Sequence, residues 1–167
     1  MARIVAAAMS LRIPMLALVP AALLVAPAPA ASPPPVEHAE VRFAQGDCDS
    51  LLLEGRPRTR GCKPNLVSLA YRSGLVSFVF AGKDGRHLSF LTRIERQVGQ
   101  ETRLKVGQVT IVTRGGAEAY ASPAAGDCVL TPFAVNRSRL ECSAKAGGSR
   151  YSALFRTSDA EPRIVTF

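Results

Sequence analysis

From residue 38 onward, apolar and polar residues alternate with a period of two, the signature of half-buried strands. Val41 and Phe43 alternate with Glu40 and Arg42, Leu51-Leu52-Leu53 forms a short apolar run, and Val67, Leu69 and Tyr71 alternate again. Beyond a Ser73-Gly74 turn, Val76, Phe78 and Phe80 share one face. Asp84-Gly85 is a hairpin dipeptide followed by Leu88 and Phe90, so Asn65 to Leu91 reads as a three-stranded meander. Arg93 to Gln100 is polar and reads as a helical turn or a loop. Leu104, Val106, Val109 and Ile111 point to one or two strands around Gly107, and Arg114-Gly115-Gly116 breaks the chain. Further strands are expected over Val129 to Phe133, Ser138 to Cys142, Arg150 to Thr157 and Arg163 to Phe167, with turns at Gly147-Gly148 and Ala160-Glu161-Pro162. No window carries a 3.6-residue apolar stripe longer than two turns. The expected fold is all-β: a small disulfide-stapled β-sandwich or barrel, or two duplicated β-units packed together.

Before residue 38 the pattern changes. Arg3 and Arg12 supply positive charge, no acid precedes Glu37, and an apolar stretch runs from Ile13 to Val25. Ala26-Pro27-Ala28-Pro29-Ala30-Ala31 offers the small residues of a signal-peptidase site. The stretch is shorter than the roughly 20 residues of a membrane span, and Pro14 and Pro20 interrupt it. A cleaved signal peptide over residues 1–30 is therefore expected, with no transmembrane span left afterwards and a periplasmic or secreted location. Pro33-Pro34-Pro35 makes residues 31–37 a stiff lead-in, which His38 extends. Residues 38–112 then form a first β unit and residues 113–167 a second, packed with the first as one domain.

That division comes from a repeat. Gly46-Asp47-Cys48 is followed by Cys62 and Tyr71, and Gly126-Asp127-Cys128 by Cys142 and Tyr151. At an offset of eighty, six of the 28 positions from Ala44 to Tyr71 are identical, where chance gives about two. Four cysteines in an exported chain indicate disulfides, and the repeat selects Cys48–Cys62 and Cys128–Cys142 among the three pairings. Zinc ligands normally come as close pairs such as C-x2-C, and none is present, so no metal is expected. Asp47 and Asp127 read as turn residues whose carboxylates accept nearby backbone N–H groups, and the tyrosines as the start of core-facing strands.

Charge then narrows the chemistry. The chain carries 21 basic and 13 acidic residues, a net +8; without the leader it carries 19 against 13, a net +6. A basic exported protein favours anionic partners. Arg56, Arg58 and Arg60 alternate inside the first cysteine loop, and Lys63 follows it. On an extended segment they would share one side, a geometry suited to bidentate contacts with phosphates or carboxylates. These four are the candidate anion-binding residues, and Arg137, Arg139, Lys145 and Arg150 occupy comparable positions in the second copy. Aromatics do not interleave with the arginines, which argues against a nucleic-acid platform. No phosphate loop, dinucleotide fingerprint, G-x-S-x-G or H-E-x-x-H occurs, and the histidines, His38 and His87, are isolated. No catalytic residue and no cofactor is expected.

Two stretches carry a resemblance. Cys142 to Phe167, with Ala144, Gly148, Tyr151, Phe155-Arg156-Thr157 and Pro162, resembles small exported alphaproteobacterial proteins of unknown function, as does Cys62-Lys63-Pro64 through Leu88-Ser89-Phe90. That resemblance implies no activity. Gly148-Ser149-Arg150-Tyr151 is similar to the G-x-R-Y part of the S-G-x-R-Y motif of membrane-bound C-type lysozyme inhibitors, with Gly147 in place of the motif's serine. The leading expectation is a non-enzymatic exported β module that contacts anionic cell-envelope components. The alternative is a periplasmic inhibitor of a lysozyme-like or other envelope-targeting enzyme. The pattern carries no signal for an oligomeric state.

Overall fold

The computed structural model describes residues 38–113 and 119–167. The signal peptide expected over 1–30, the lead-in at 31–37 and the Gly115-Gly116 break lie outside the described residues.

The chain folds as a closed, eight-stranded antiparallel β-barrel. Its strands are β1 (His38–Leu53), β3 (Cys62–Tyr71), β4 (Leu75–Gly82), β5 (His87–Val98), β6 (Glu101–Val112), β7 (Ala119–Ala134), β8 (Arg137–Ala146) and β9 (Ser149–Thr157). Two short strands, β2 (Arg56–Pro57) and β10 (Arg163–Thr166), both pair with β1. Going round the barrel the order is β1-β3-β4-β5-β6-β7-β8-β9, and β9 closes onto β1. Strand β1 does two jobs. Its first half, from His38 to Gln45, pairs with β3, and its second half, from Gly46 to Leu52, pairs with β9.

Eight strands enclose a space that side chains can fill. The period-two alternation supplies them: Phe78 and Phe80 from β4, Leu88 and Phe90 from β5, Leu140 and Cys142 from β8, and Tyr151, Ala153 and Phe155 from β9 are buried. Phe80 and Phe90 meet edge to face within the core, with centroids 5.9 Å apart. Val106 and Val109 are both buried because a register shift between Val106 and Gln108 resets the alternation around Gly107, so β6 is one strand.

Local turn chemistry sets the connections. Gly74 and Gly85 adopt left-handed φ in the β3–β4 and β4–β5 turns, as the meander reading requires. Consecutive hairpins give the barrel two distinct ends. One carries the β1–β3 connection, the β4–β5 turn and the β8–β9 turn. The other carries the β3–β4, β5–β6 and β7–β8 turns together with β10.

Four expectations need correction. Arg93 to Gln100 is not a helical turn; β5 continues to Val98 and pairs with β6 to its tip. Asp47 and Asp127 are not in turns but lie within β1 and β7. His38 is not in the lead-in but opens β1, opposite Tyr71. Tyr71 ends β3 and is half-buried, whereas Tyr151 is near the start of β9 and faces the core.

Both disulfides form between the cysteines that the repeat pairs, Cys48–Cys62 and Cys128–Cys142. Cys128 and Cys142 face each other across β7 and β8. Cys48 and Cys62 are not partners in a ladder: Cys48 lies opposite Phe155, and Cys62 opposite Gly82. The first cystine therefore spans the point where β1 leaves β3 for β9. The two expected units share one sheet, since β6 and β7 pair from Thr102–Leu130 to Val112–Ala119.

Candidate functional site

The loop between Cys48 and Cys62 stands at the first of the two barrel ends. Strand β1 turns at Glu54 and Gly55, both with positive φ, and returns as β2, which places Arg56 opposite Leu53. The Arg58 N–H then donates to the Leu51 carbonyl (2.7 Å), and a 3-10 turn follows at Thr59–Gly61. The turn is held from both sides. The Leu51 N–H donates to Thr59 Oγ1 (3.1 Å), and the Lys83 N–H donates to the Gly61 carbonyl (2.5 Å). Across from it the β4–β5 turn is closed by Gly82 N–H to the Arg86 carbonyl (2.7 Å).

These bonds fix two basic segments around one concavity of about 820 Å³, the size of a small-molecule site. Arg58, Arg60, Lys83 and Arg86 line it, together with one carboxylate, Asp84; Leu51, Leu53 and Leu88 are its apolar lining. Phe80, opposite Leu88 across β4 and β5, and Phe90 are fully buried and do not line it. Arg86 forms an ion pair with Asp84 (2.8 Å), and Asp84 also accepts the Arg86 backbone N–H (3.1 Å). Those two bonds from Arg86 hold the Asp84 carboxyl below its ordinary pKa. Among the described residues Arg58, Arg60 and Lys83 have no carboxylate within ion-pair distance.

The four candidate anion-binding residues are thus divided. Arg58 and Arg60 reach the concavity, while Arg56 on β2 and Lys63 on β3 do not line it. The 3-10 turn breaks the extended spacing that would have aligned all three arginines. In exchange the fold brings in Lys83 and Arg86, which the sequence reading passed over. Their only local signal was a basic residue on each side of Asp84-Gly85, and only the pairing of β3, β4 and β5 carries that turn to the arginine loop.

The second copy's cations split as well. Arg137 and Arg139 lie toward the far end, engaged with Asp159 (3.5 Å) and Glu141 (2.8 Å). Lys145 and Arg150 face each other across β8 and β9 toward the basic mouth, and the Arg150 carbonyl accepts the Gly55 N–H (2.8 Å). Like charges directly opposite destabilise a ladder. Among the described residues this end gathers Arg56, Arg58, Arg60, Lys63, Lys83, Arg86, Lys145 and Arg150 against Glu54 and Asp84, with Asp47 beside Pro64 at its border. The described residues at this end therefore carry a marked excess of positive charge.

The other candidates carry no such gathering. Asp127 accepts from Lys105 Nζ across β6 and β7 (2.6 Å), which raises the lysine's pKa. Asp47 is exposed on β1. His87 opens β5, half-buried. Among the described residues no three or more His, Cys, Asp or Glu side chains stand close enough to hold a metal ion. Within the G-x-R-Y segment, Gly148 forms the β8–β9 turn with Gly147, and Tyr151 is buried in the barrel, where burial raises its pKa.

Fold and site together define a disulfide-stapled, closed eight-stranded β-barrel with a cation-lined mouth. No protein-family model, curated protein or solved structure matches the chain. Two intact cystines fit a compartment outside the reducing cytoplasm, and among the described residues no helix is long and apolar enough to cross a membrane.

Proposed function

We propose that this protein is an exported, non-enzymatic binding module of the periplasm or cell exterior, and that its basic mouth captures an anionic component of the cell envelope. The observation that carries the reading is the convergence of Arg58, Arg60, Lys83 and Arg86 on one concavity, three of them without an acidic partner among the described residues. Four cations facing a single carboxylate on backbone-tied turns repel one another, and a bound phosphate or carboxylate relieves that repulsion. Because the turns are already fixed by hydrogen bonds and a cystine, little ordering remains for the ligand to drive.

The test compares Arg58→Ser/Arg60→Ser/Lys83→Ser with Arg137→Ser/Arg139→Ser in calorimetric binding to lipopolysaccharide and to an acidic polysaccharide. Each charge-assisted bond contributes about 1.5–3 kcal/mol, so losing three lowers affinity by at least tenfold. The control variant retains affinity, and raising salt weakens the wild-type interaction. Equal binding by the two variants would sink the proposal.

A further inference from the structure

Eight large apolar side chains are exposed among the described residues, and seven stand at the end opposite the basic mouth. Ile94 and Val98 lie on the β5–β6 hairpin, Phe133 and Val135 at the β7–β8 hairpin, Phe43 on β1, and Ile164 and Phe167 on and after β10. The eighth, Tyr120, lies near the start of β7 at the basic end. Scattered surface apolar residues are ordinary, but a collar at one end is not. Val135 is 86% exposed, Phe167 71% and Val98 57%. They project from separate tips rather than forming a flat sheet face.

Arginines stand close to these residues in sequence, both at the hairpin tips and within the strands. Arg93 precedes Ile94, Arg96 stands two residues before Val98, Arg163 precedes Ile164 and Arg42 precedes Phe43. The Arg137 guanidinium lies 5.0 Å from the Phe133 ring centroid, and Arg72 donates to the Phe167 carbonyl (3.2 Å). The acids here are largely engaged, Glu40 with Arg42, Glu101 with Arg103, Glu141 with Arg139 and Asp159 with Arg137. Glu95 and Glu161 have no ion-pair partner among the described residues, and neither do Arg93, Arg96 and Arg163.

We propose that this end docks on the surface of a lipid bilayer carrying anionic headgroups. Apolar tips backed by arginine match the two layers of such a surface, acyl chain below and phosphate above. A fluid interface accepts separate prongs without the shape match a folded partner would need. Docked this way, the barrel turns its basic mouth away from the bilayer, so this inference does not depend on the ligand proposed for that mouth.

The chain contains no tryptophan, which makes single-tryptophan reporters clean. Val135→Trp reports from the collar and Tyr120→Trp from the opposite end. With mixed phosphatidylcholine–phosphatidylglycerol vesicles, Val135→Trp emission shifts to the blue and is quenched by brominated acyl chains, while Tyr120→Trp does neither. Val98→Ser/Val135→Ser/Phe167→Ser, all at exposed positions, lowers vesicle partitioning at least tenfold with an unchanged melting curve. Arg58→Ser/Arg60→Ser/Lys83→Ser keeps the Val135→Trp response. Unchanged partitioning of the triple collar variant overturns the proposal, as does quenching of Tyr120→Trp in place of Val135→Trp. So does a lipid-independent blue shift that grows with protein concentration, because the collar would then bind a second copy.

Discussion

The glycines of the two Gly-Asp-Cys segments should tolerate no side chain, for a reason visible in the sheet. Gly46 lies opposite Thr157 on the seam where β9 closes the barrel, and Gly126 lies opposite Ala144 in the β7–β8 pair. A Cβ at 46 would stand 1.9 Å from the Arg156 carbonyl oxygen and 2.8 Å from the Phe155 ring. At 126 it would stand 2.1 Å from the Ser143 carbonyl oxygen and 2.5 Å from the Ala144 Cα. These obstacles are mainly backbone, so the strands must part by about an ångström or more, and overpacking of this kind costs about 1–3 kcal/mol. Two ladder hydrogen bonds stretched in the process add about 2 kcal/mol. Restricting the unfolded chain returns roughly 0.4–1 kcal/mol. Gly46→Ala and Gly126→Ala should each therefore lose about 3 kcal/mol. For a domain of this size that is a fall in Tm of about 10 °C. Gly107 supplies the control: no atom lies within 4 Å of its virtual Cβ, and its φ is not left-handed. Gly107→Ala should be neutral or slightly stabilising. Thermal and urea unfolding under non-reducing conditions measure all three. If Gly46→Ala and Gly126→Ala melt with Gly107→Ala, close backbone approach is not what these positions require.

The two cystines should separate stability from binding. Each closes a 15-residue loop, so Cys128→Ala/Cys142→Ala should cost about 3 kcal/mol by chain entropy and leave anion binding within about twofold. Cys48→Ala/Cys62→Ala should cost a similar amount and also weaken anion binding, since that bridge ends the loop bearing Arg58 and Arg60; melting and calorimetry on the same samples distinguish them. Asp84→Asn should strengthen anion binding by releasing Arg86 into the mouth. With the Asp84 carboxyl lowered from an ordinary 3.8, its ion pair is fully present above that value and is lost only as pH falls through the lowered folded value. Calorimetric affinity for an anion that keeps its charge should therefore be flat from pH 7 to pH 5 and should rise only in stronger acid; an increase already complete by pH 5 would refute the assignment.

How much was legible depended on how local the signal was. The meander came through because Ser73-Gly74 and Asp84-Gly85 are turn signals in their own right and β4 alternates cleanly around Phe78 and Phe80. The end of β5 was lost because Arg93 to Val98 is exposed on every side chain, and alternation marks a strand only where one face is buried. Strand β7 runs from Ala119 to Ala134, well beyond the expected Val129 to Phe133, through Pro123 and several alanines of low strand propensity. Pairing with β6 and β8 imposes its extended form, which no property of the segment alone announces. The same division runs through the site. Arg58 and Arg60 were readable from spacing inside a cysteine loop, whereas Lys83 and Arg86 join them only through tertiary pairing.

The repeat itself means less as architecture than as local chemistry. In both copies the glycine permits close strand approach and the two cysteines join across a loop of equal length. The likeness stops at the second cysteine. Val67 and Ser68 lie within β3, whereas Gly147 and Gly148, eighty positions later, turn the chain from β8 into β9. What precedes that cysteine also differs in kind. Between Cys128 and Cys142 the chain is a flat ladder, so its basic side chains spread along the wall and meet Glu141 and Asp159. Between Cys48 and Cys62 the ladder shrinks to the pairs Leu52–Pro57 and Leu53–Arg56, because β1 has already crossed to β9, and the rest of the loop folds over the mouth. The strand exchange of β1, rather than the arginine content of the segment, is what turns the first cysteine loop into a candidate binding site.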